Sequence, residues 1–188
     1  MRISLSKEEG IKALIKENLK NYFHVMGLQE MEYSLRGYTS VKDKKNKARE
    51  MHLRDAPPTD YNETVIKKYG NRQKAMKSVT KEVQKKVNEI FGITPEKEIE
   101  GTDFLIDLFD EDEKVCYEIA LGDGTEIFKD ILKALIVGAK KLVIFCRSYP
   151  NPWGMTGYDY MKRQWEMMKD RIKLDVDLIE FISDKSYR

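Results

Sequence analysis

Apolar residues recur along this chain in more than one rhythm, and the rhythm changes near residue 95. Ser6-Lys7-Glu8-Glu9 has the spacing of a capping box, so a helix is expected to start near Lys7. Ile11, Leu14, Ile15 and Leu19 give it an apolar stripe at helical spacing, and Gly27 marks its end. Residues 36–61 read as a loop, basic and containing Pro57-Pro58. A second helix is expected over about 62–91, with Gly70 as an interruption and Gly92 as the stop. Its apolar stripe is Val79, Val83, Val87 and Ile90, and Lys77, Lys81, Lys85 and Lys86 form its polar face.

Beyond residue 95 the period shortens. Residues 103–109 and 114–121 alternate strictly, which predicts two half-buried strands joined by a turn at Asp110-Glu111-Asp112-Glu113. Thr125 can cap a helix running to Val137 and ending at Gly138, with Ile127, Ile131, Ala134 and Leu135 facing inward. KLVIFCR at 141–147 is a continuous apolar run, as expected of a strand buried on both faces. Strand, helix, strand at this length predicts a right-handed crossover between parallel strands. A loop rich in aromatics follows, then a helix with Met161, Trp165, Met168 and Ile172 on one face, then a strand at 176–182. The order αα-ββαβαβ describes an α/β fold: a mixed sheet flanked by helices, with a helical N-terminal part. One domain over 1–188 is expected, divided into a mainly helical, basic 1–95 and an αβ core over 96–188.

Charge changes this picture. The net charge is only +2, yet 35% of residues are charged and they are unevenly placed. Arg36 to Lys86 holds fifteen Lys/Arg against six Asp/Glu, and Glu98 to Asp130 holds twelve Asp/Glu against two Lys. A basic half beside an acidic half points to a polyanion partner and a cation site, whereas composition alone is equally met by a solvated, charge-rich surface. Cys116 and Cys146 lie in apolar runs, as reduced core thiols do, and with only His24 and His52 no zinc-ligand spacing exists. No signal peptide and no run of eighteen apolar residues is evident, so a soluble, cytoplasmic protein with no membrane partner is expected.

The acidic hairpin is where chemistry is expected. With residues 110–113 as the turn, Phe109 pairs with Lys114, Asp107 with Cys116, Leu105 with Glu118 and Asp103 with Ala120. One face then carries Phe104, Ile106, Leu108, Val115, Tyr117, Ile119 and Leu121, and the other carries Asp103, Asp107 and Glu118. Glu118 stands one diagonal step, about 7 Å, from each aspartate. Three like charges on one face repel, which favours a shared cation over a bare solvent-facing surface. Mg²⁺ suits such a site, with Mn²⁺ as a substitute, because it takes one or two carboxylates plus water and phosphate oxygens.

An acidic residue on one strand, followed by a second acidic residue on the next, two before a lysine position, is the PD-(D/E)xK pattern. Gly101-Thr102-Asp103, Ile106-Asp107 and Tyr117-Glu118-Ile119-Ala120-Leu121 resemble that nuclease superfamily in its branch of BglII- and BamHI-type restriction endonucleases. The resemblance continues through helix 125–137, AKKLVIF at 139–145 and the helix start near Tyr158, over about 65 residues. It implies a restriction-endonuclease-like fold and Mg²⁺-dependent hydrolysis of DNA phosphodiester bonds. Asp107 and Glu118 are the implied metal ligands, with the Ile119 carbonyl as a third and Asp103 as an alternative. The departure is Ala120, which stands where a lysine or another polar residue orients the attacking water. Lys129 can reach back toward the site as a catalytic group, or be an ordinary exposed helix lysine. Glu126 and Glu89 are weaker candidates for an additional carboxylate.

The DNA backbone is then expected to meet Lys44, Lys45, Lys47, Arg49 and Arg54. The loop after the buried strand offers Arg147, Asn151, Tyr158 and Tyr160 to phosphates or bases, or simply covers the core with its aromatics. Trp153 and Trp165 are read as packing residues. A nuclease that cuts both strands of a symmetric site is expected to be a homodimer. Two other readings compete: a nuclease-fold protein that binds DNA or serves a structural role without catalysis, and an unrelated α/β domain whose acidic hairpin binds Ca²⁺ or nothing.

Overall fold

A computed structural model of the chain describes residues 6–25, 72–120, 127–147 and 157–181. Among them are four helices and a five-stranded sheet. In chain order these are α1 (Lys7–Val25), α2 (Arg72–Phe91), β1 (Pro95–Glu98), β2 (Leu105–Asp110), β3 (Val115–Ala120), α3 (Ile127–Ile136), β4 (Lys141–Arg147), α4 (Gly157–Met168) and β5 (Asp175–Phe181). A short 3₁₀ turn, Lys169–Arg171, follows α4.

The sheet runs β1-β2-β3-β4-β5, in the order of the chain. β1, β2 and β3 pair antiparallel, and β3, β4 and β5 pair parallel. Consecutive crossovers of one hand step the chain in one direction and lay their helices on one face. Accordingly α3 and α4 pack together against Phe109, Cys116, Leu142, Ile144 and Cys146. The opposite face carries Leu108, Val115, Tyr117, Val143 and Phe145, and is covered by Ile11, Ile15 and Leu19 of α1 with Val83 and Val87 of α2. Helices therefore roof the sheet on both sides, a mixed α/β arrangement of three layers.

Local signals set most of these boundaries. The Ser6 Oγ accepts the Glu9 N–H at 3.2 Å and the Glu9 carboxylate accepts the Ser6 N–H at 3.3 Å, closing the capping box. α2 stops at Gly92, whose φ of +71° suits a residue without Cβ. α3 ends in a Schellman motif: Ala139 N–H reaches the Ala134 carbonyl at 2.9 Å, Gly138 N–H reaches Leu135 at 3.1 Å, and Gly138 has φ +68°. Ion pairs then fasten the first turns of α1 to the sheet. Lys7 meets Asp110 at 2.7 Å, Lys12 bridges Glu8 and Asp177, and Lys141 meets Glu8 at 2.8 Å.

Several expectations change. The hairpin is not half-buried with a solvated face: every residue of β3 from Val115 to Ile119 is buried, because helices lie on both sides. The register also moves by two. Phe109 pairs with Cys116 and Asp110 with Val115, so the turn is 111–114. Asp110 causes this shift, since its Oδ1 accepts the N–H groups of Asp112 and Glu113 while Lys114 takes φ +57°. A shift of two preserves parity, so Leu108, Val115, Tyr117 and Ile119 keep their common face, whereas Phe104 and Ile106 pack on the opposite one. Ile90 and Leu135, expected inside, are 62% and 45% exposed. β1 has no counterpart in the hydrophobic pattern, because PEKE is a short, charged edge strand beginning with proline. Gly27, residues 36–61, Gly70, Thr125 and Trp153 lie outside the described residues.

Ile15 is fully buried between α1, α2 and the sheet. Ile15→Ala is expected to lower the unfolding free energy by roughly 2–5 kcal/mol in urea denaturation. A loss under 1 kcal/mol would mean that α1 is not part of the cooperative core.

Candidate functional site

The centre of the sheet holds charge. Glu118 on β3 points to the α3 side and is only 5% exposed. α3 brings two charged groups to it. The Lys133 Nζ lies 2.6 Å from Glu118 Oε1 and 2.8 Å from Asp130 Oδ1. The same ammonium donates to the Leu105 carbonyl of β2 at 3.1 Å. Asp130 and Lys133 are three apart on one helix, and they lie beside Ile127, Ile131 and Ala134 on its buried face. The Glu118 Oε1 makes no aligned hydrogen bond, so charge attraction to Lys133 is what holds it.

Asp107 occupies the place where β2 and β3 part. The paired residues end at Leu108 and Tyr117. One step further, the Ile119 N–H donates to Asp107 Oδ2 at 2.8 Å, so a side chain has taken over from the backbone ladder. Gln84 on α2 closes the other side, its Nε2 donating to Asp107 Oδ1 at 3.1 Å and to the Asp107 carbonyl at 3.2 Å. Alternation breaks here as well: Leu108 joins the core under α1 and α2, and Ile106 joins the core under α3.

The electrostatics follow from this geometry. Three carboxylates, Asp107, Glu118 and Asp130, interact with one ammonium, Lys133, a formal sum of −2 when all are ionised. Burial pushes the Glu118 carboxyl well above the usual carboxylate range, and Asp107 and Asp130 push it further than Lys133 can offset. Burial likewise raises Asp107 to about 6, against the hydrogen bond from Ile119 and the charge of Lys133. The Lys133 ammonium is opposed by burial, but Glu118 and Asp130 outweigh that cost and hold its pKa above the ordinary lysine value. An excess of buried negative charge is relieved by a proton or by a cation. Each Asp107 oxygen accepts one hydrogen bond and keeps a second acceptor position, which a proton or a hard cation could take. Among the described residues no three His, Cys, Asp or Glu side chains are grouped to hold a metal ion.

The other expected site residues separate. Asp103 is exposed in the bend before β2 and does not stand with Glu118 across a ladder. Lys129 is exposed with its ammonium 5.5 Å from the Phe104 ring centroid, while Lys133, one turn on, makes the contact with Glu118. Ile119 contributes its N–H to Asp107. Ala120 packs against the core beneath α3. Tyr158 is packed against the same core, with Lys162 5.9 Å from its ring centroid, and Tyr160 is half-buried. Arg147 ends β4. Lys44, Lys45, Lys47, Arg49, Arg54, Asn151 and Glu126 lie outside the described residues. Asp130, Lys133 and Gln84 were not foreseen. The available signal for the first two was a charged i,i+3 pair on the apolar stripe of α3. No helix among the described residues is long and apolar enough to cross a membrane. Comparison of the chain with protein-family models, with curated proteins and with solved structures gives no match.

Two outcomes follow for the metal-free protein. The folded-state pKa of Asp107 is raised, so the folded chain binds its proton more tightly, and stability falls as pH rises from about 4 through about 6. The full effect is about 3 kcal/mol, and Glu118 acts in the same direction. In urea melts, wild type should lose that amount relative to Asp107→Asn between about pH 4 and pH 7; parallel pH profiles would refute it. Lys133→Met strands two buried carboxylates and should cost roughly 3–5 kcal/mol at neutral pH. The Glu118→Gln/Lys133→Met double variant should recover part of this, and strict additivity in the double-mutant cycle would show the pair to be uncoupled.

Proposed function

We propose that the chain is a metal-dependent DNA endonuclease whose fold and site are restriction-endonuclease-like. The observation that carries this reading is the placement of two carboxylates on neighbouring central strands, half-buried Asp107 held by the Ile119 N–H and buried Glu118 held by Lys133. Burial raises both carboxyls, and Asp107 and Asp130 raise Glu118 further, so the site carries negative charge that a bound cation would relieve. The lysine that the PD-(D/E)xK pattern places at 120 is absent, and Lys133 supplies an ammonium to the same glutamate from the neighbouring helix. Asp107, Glu118 and the Ile119 carbonyl would hold Mg²⁺, with Mn²⁺ as a substitute. Such an ion neutralises charge on the phosphoryl group, acidifies the attacking water and stabilises the leaving oxygen. Lys133 keeps a positive charge at the site when phosphate approaches, and Asp130 fixes its direction. A carboxylate centre repels DNA, so basic residues must offset it. Lys77, Lys81, Lys85 and Lys86 lie on the exposed side of α2, where the Lys81–Glu96 and Lys85–Glu89 pairs are solvent-exposed and a phosphate could replace the carboxylates. A homodimer suits cleavage of both strands at a symmetric site.

A second reading is favoured by one observation: Lys133 already lies against Glu118, where its charge can take the place of a metal. On this reading the chain is a nuclease-fold protein that binds DNA, or serves a structural role, without cutting it.

Supercoiled plasmid incubated with the protein and Mg²⁺ or Mn²⁺ separates these. The endonuclease reading expects nicking or linearisation, lost in Asp107→Ala and Glu118→Ala by more than the ~10–100-fold typical of residues that merely support a ligand. Cleavage that survives both substitutions would overturn the site. Absent cleavage with salt-sensitive DNA binding would favour the second reading, and absence of both would end the nucleic-acid proposal.

A further inference from the structure

A glutamine at 2% exposure on a helix that otherwise turns valines inward has to find partners, because an unsatisfied buried amide is costly. Gln84 spends its Nε2 on one residue. It donates to the carbonyl and to the Oδ1 of Asp107, at 3.2 and 3.1 Å. Both partners are acceptors, so the amide must present its NH₂ group to them. Its neighbours Val83 and Val87 are buried in the core, which leaves the amide little freedom to turn away. Asp107 is thus clamped from two sides: Gln84 holds the backbone and Oδ1, and the Ile119 N–H holds Oδ2. The clamp is neutral. A lysine or arginine here would compensate the carboxylate's charge, whereas an amide orients it and leaves that charge for a cation.

We infer that Gln84 is the positioning residue of the site: it fixes the Asp107 carboxylate in the parting of β2 and β3 so that Asp107 and Glu118 face a common cation. The structural half of this inference, the clamp itself, does not depend on the nuclease reading; the cation half rests on it.

Gln84→Met keeps the length and apolar bulk of the side chain and removes the donor. Gln84→Asn keeps the amide and, one methylene shorter, does not reach Asp107. Amide hydrogen exchange in the metal-free protein reads the clamp directly. In both variants the Ile119 amide should exchange about tenfold faster or more, with Cys116 and Tyr117 unchanged, because the acceptor of the Ile119 N–H is no longer held. A merely structural role would accelerate all three together or none, and either result in a folded variant overturns the inference. Mn²⁺ binding, measured with the metal alone, should weaken ~10–100-fold in both variants, and plasmid cleavage should lose kcat with KM unchanged. Wild type that binds no Mn²⁺ would defeat the nuclease reading and the cation half together, while the exchange rate of Ile119 still decides the clamp. Should Gln84→Met not fold, Gln84→Asn carries the same test, and an Ile119 amide as protected as in wild type would overturn the inference.

Discussion

Glu118 stands on a central strand of a sheet roofed by helices on both faces, where a carboxylate is denied water from either side. The rest of the site follows from that constraint. A buried carboxylate must be protonated, paired or bound to a cation, and here the fold provides an ammonium from the adjoining helix. Lys133 in turn requires more than one partner, and Asp130, one helical turn before it, meets that need together with the Leu105 carbonyl. The crossover helix that closes the core is therefore also the element that delivers charge to it.

Asp107 solves a different problem. Where β2 and β3 separate, the ladder would leave the Ile119 N–H without a partner inside the protein, and a buried donor of that kind is rarely left unmet. The Asp107 side chain meets it. The same contact draws the carboxylate in among the strands, where burial raises its pKa and brings it under the field of Asp130 and Lys133. Structure and chemistry are coupled at this point: the side chain that completes the backbone bonding is also the one the proposed reaction needs.

Much of the fold was legible in the sequence because it depends on local rules. The capping box at Ser6, the glycine stops at 92 and 138, and the apolar run at 141–147 were all readable, and each depends on residues close together in the chain. The face assignments of β3 and of Leu108 also survived a register error, since a slip of two preserves parity, but those of Phe104 and Ile106 did not, because alternation breaks where β2 leaves β3. β1 was not legible, because its pairing with β2 and not its composition makes PEKE a strand. Of the site, Asp107 and Glu118 were legible as acidic residues in strands, which is uncommon enough to notice. Their environment was not. The alternating pattern predicts a wet face, and only the placement of α3 and α4 over that face makes it dry.

By itself the sequence determined the order of helices and strands apart from β1, the capping box at Ser6 and the glycine stops at 92 and 138, and two carboxylates set on adjacent strands, since capping, periodicity and strand alternation act over a few residues. Tertiary structure alone decided that Lys133 rather than Lys129 meets Glu118, that Asp103 stays in solvent, that Asp110 is buried against Lys7, and that Gln84 reaches Asp107. The physical reason is common to all four. Each is a contact between elements, and its outcome depends on which helix face the core selects and on how far a strand has turned when it leaves its ladder. In a covered sheet those choices also set the dielectric around every charge, and with it the chemistry the same residues can perform.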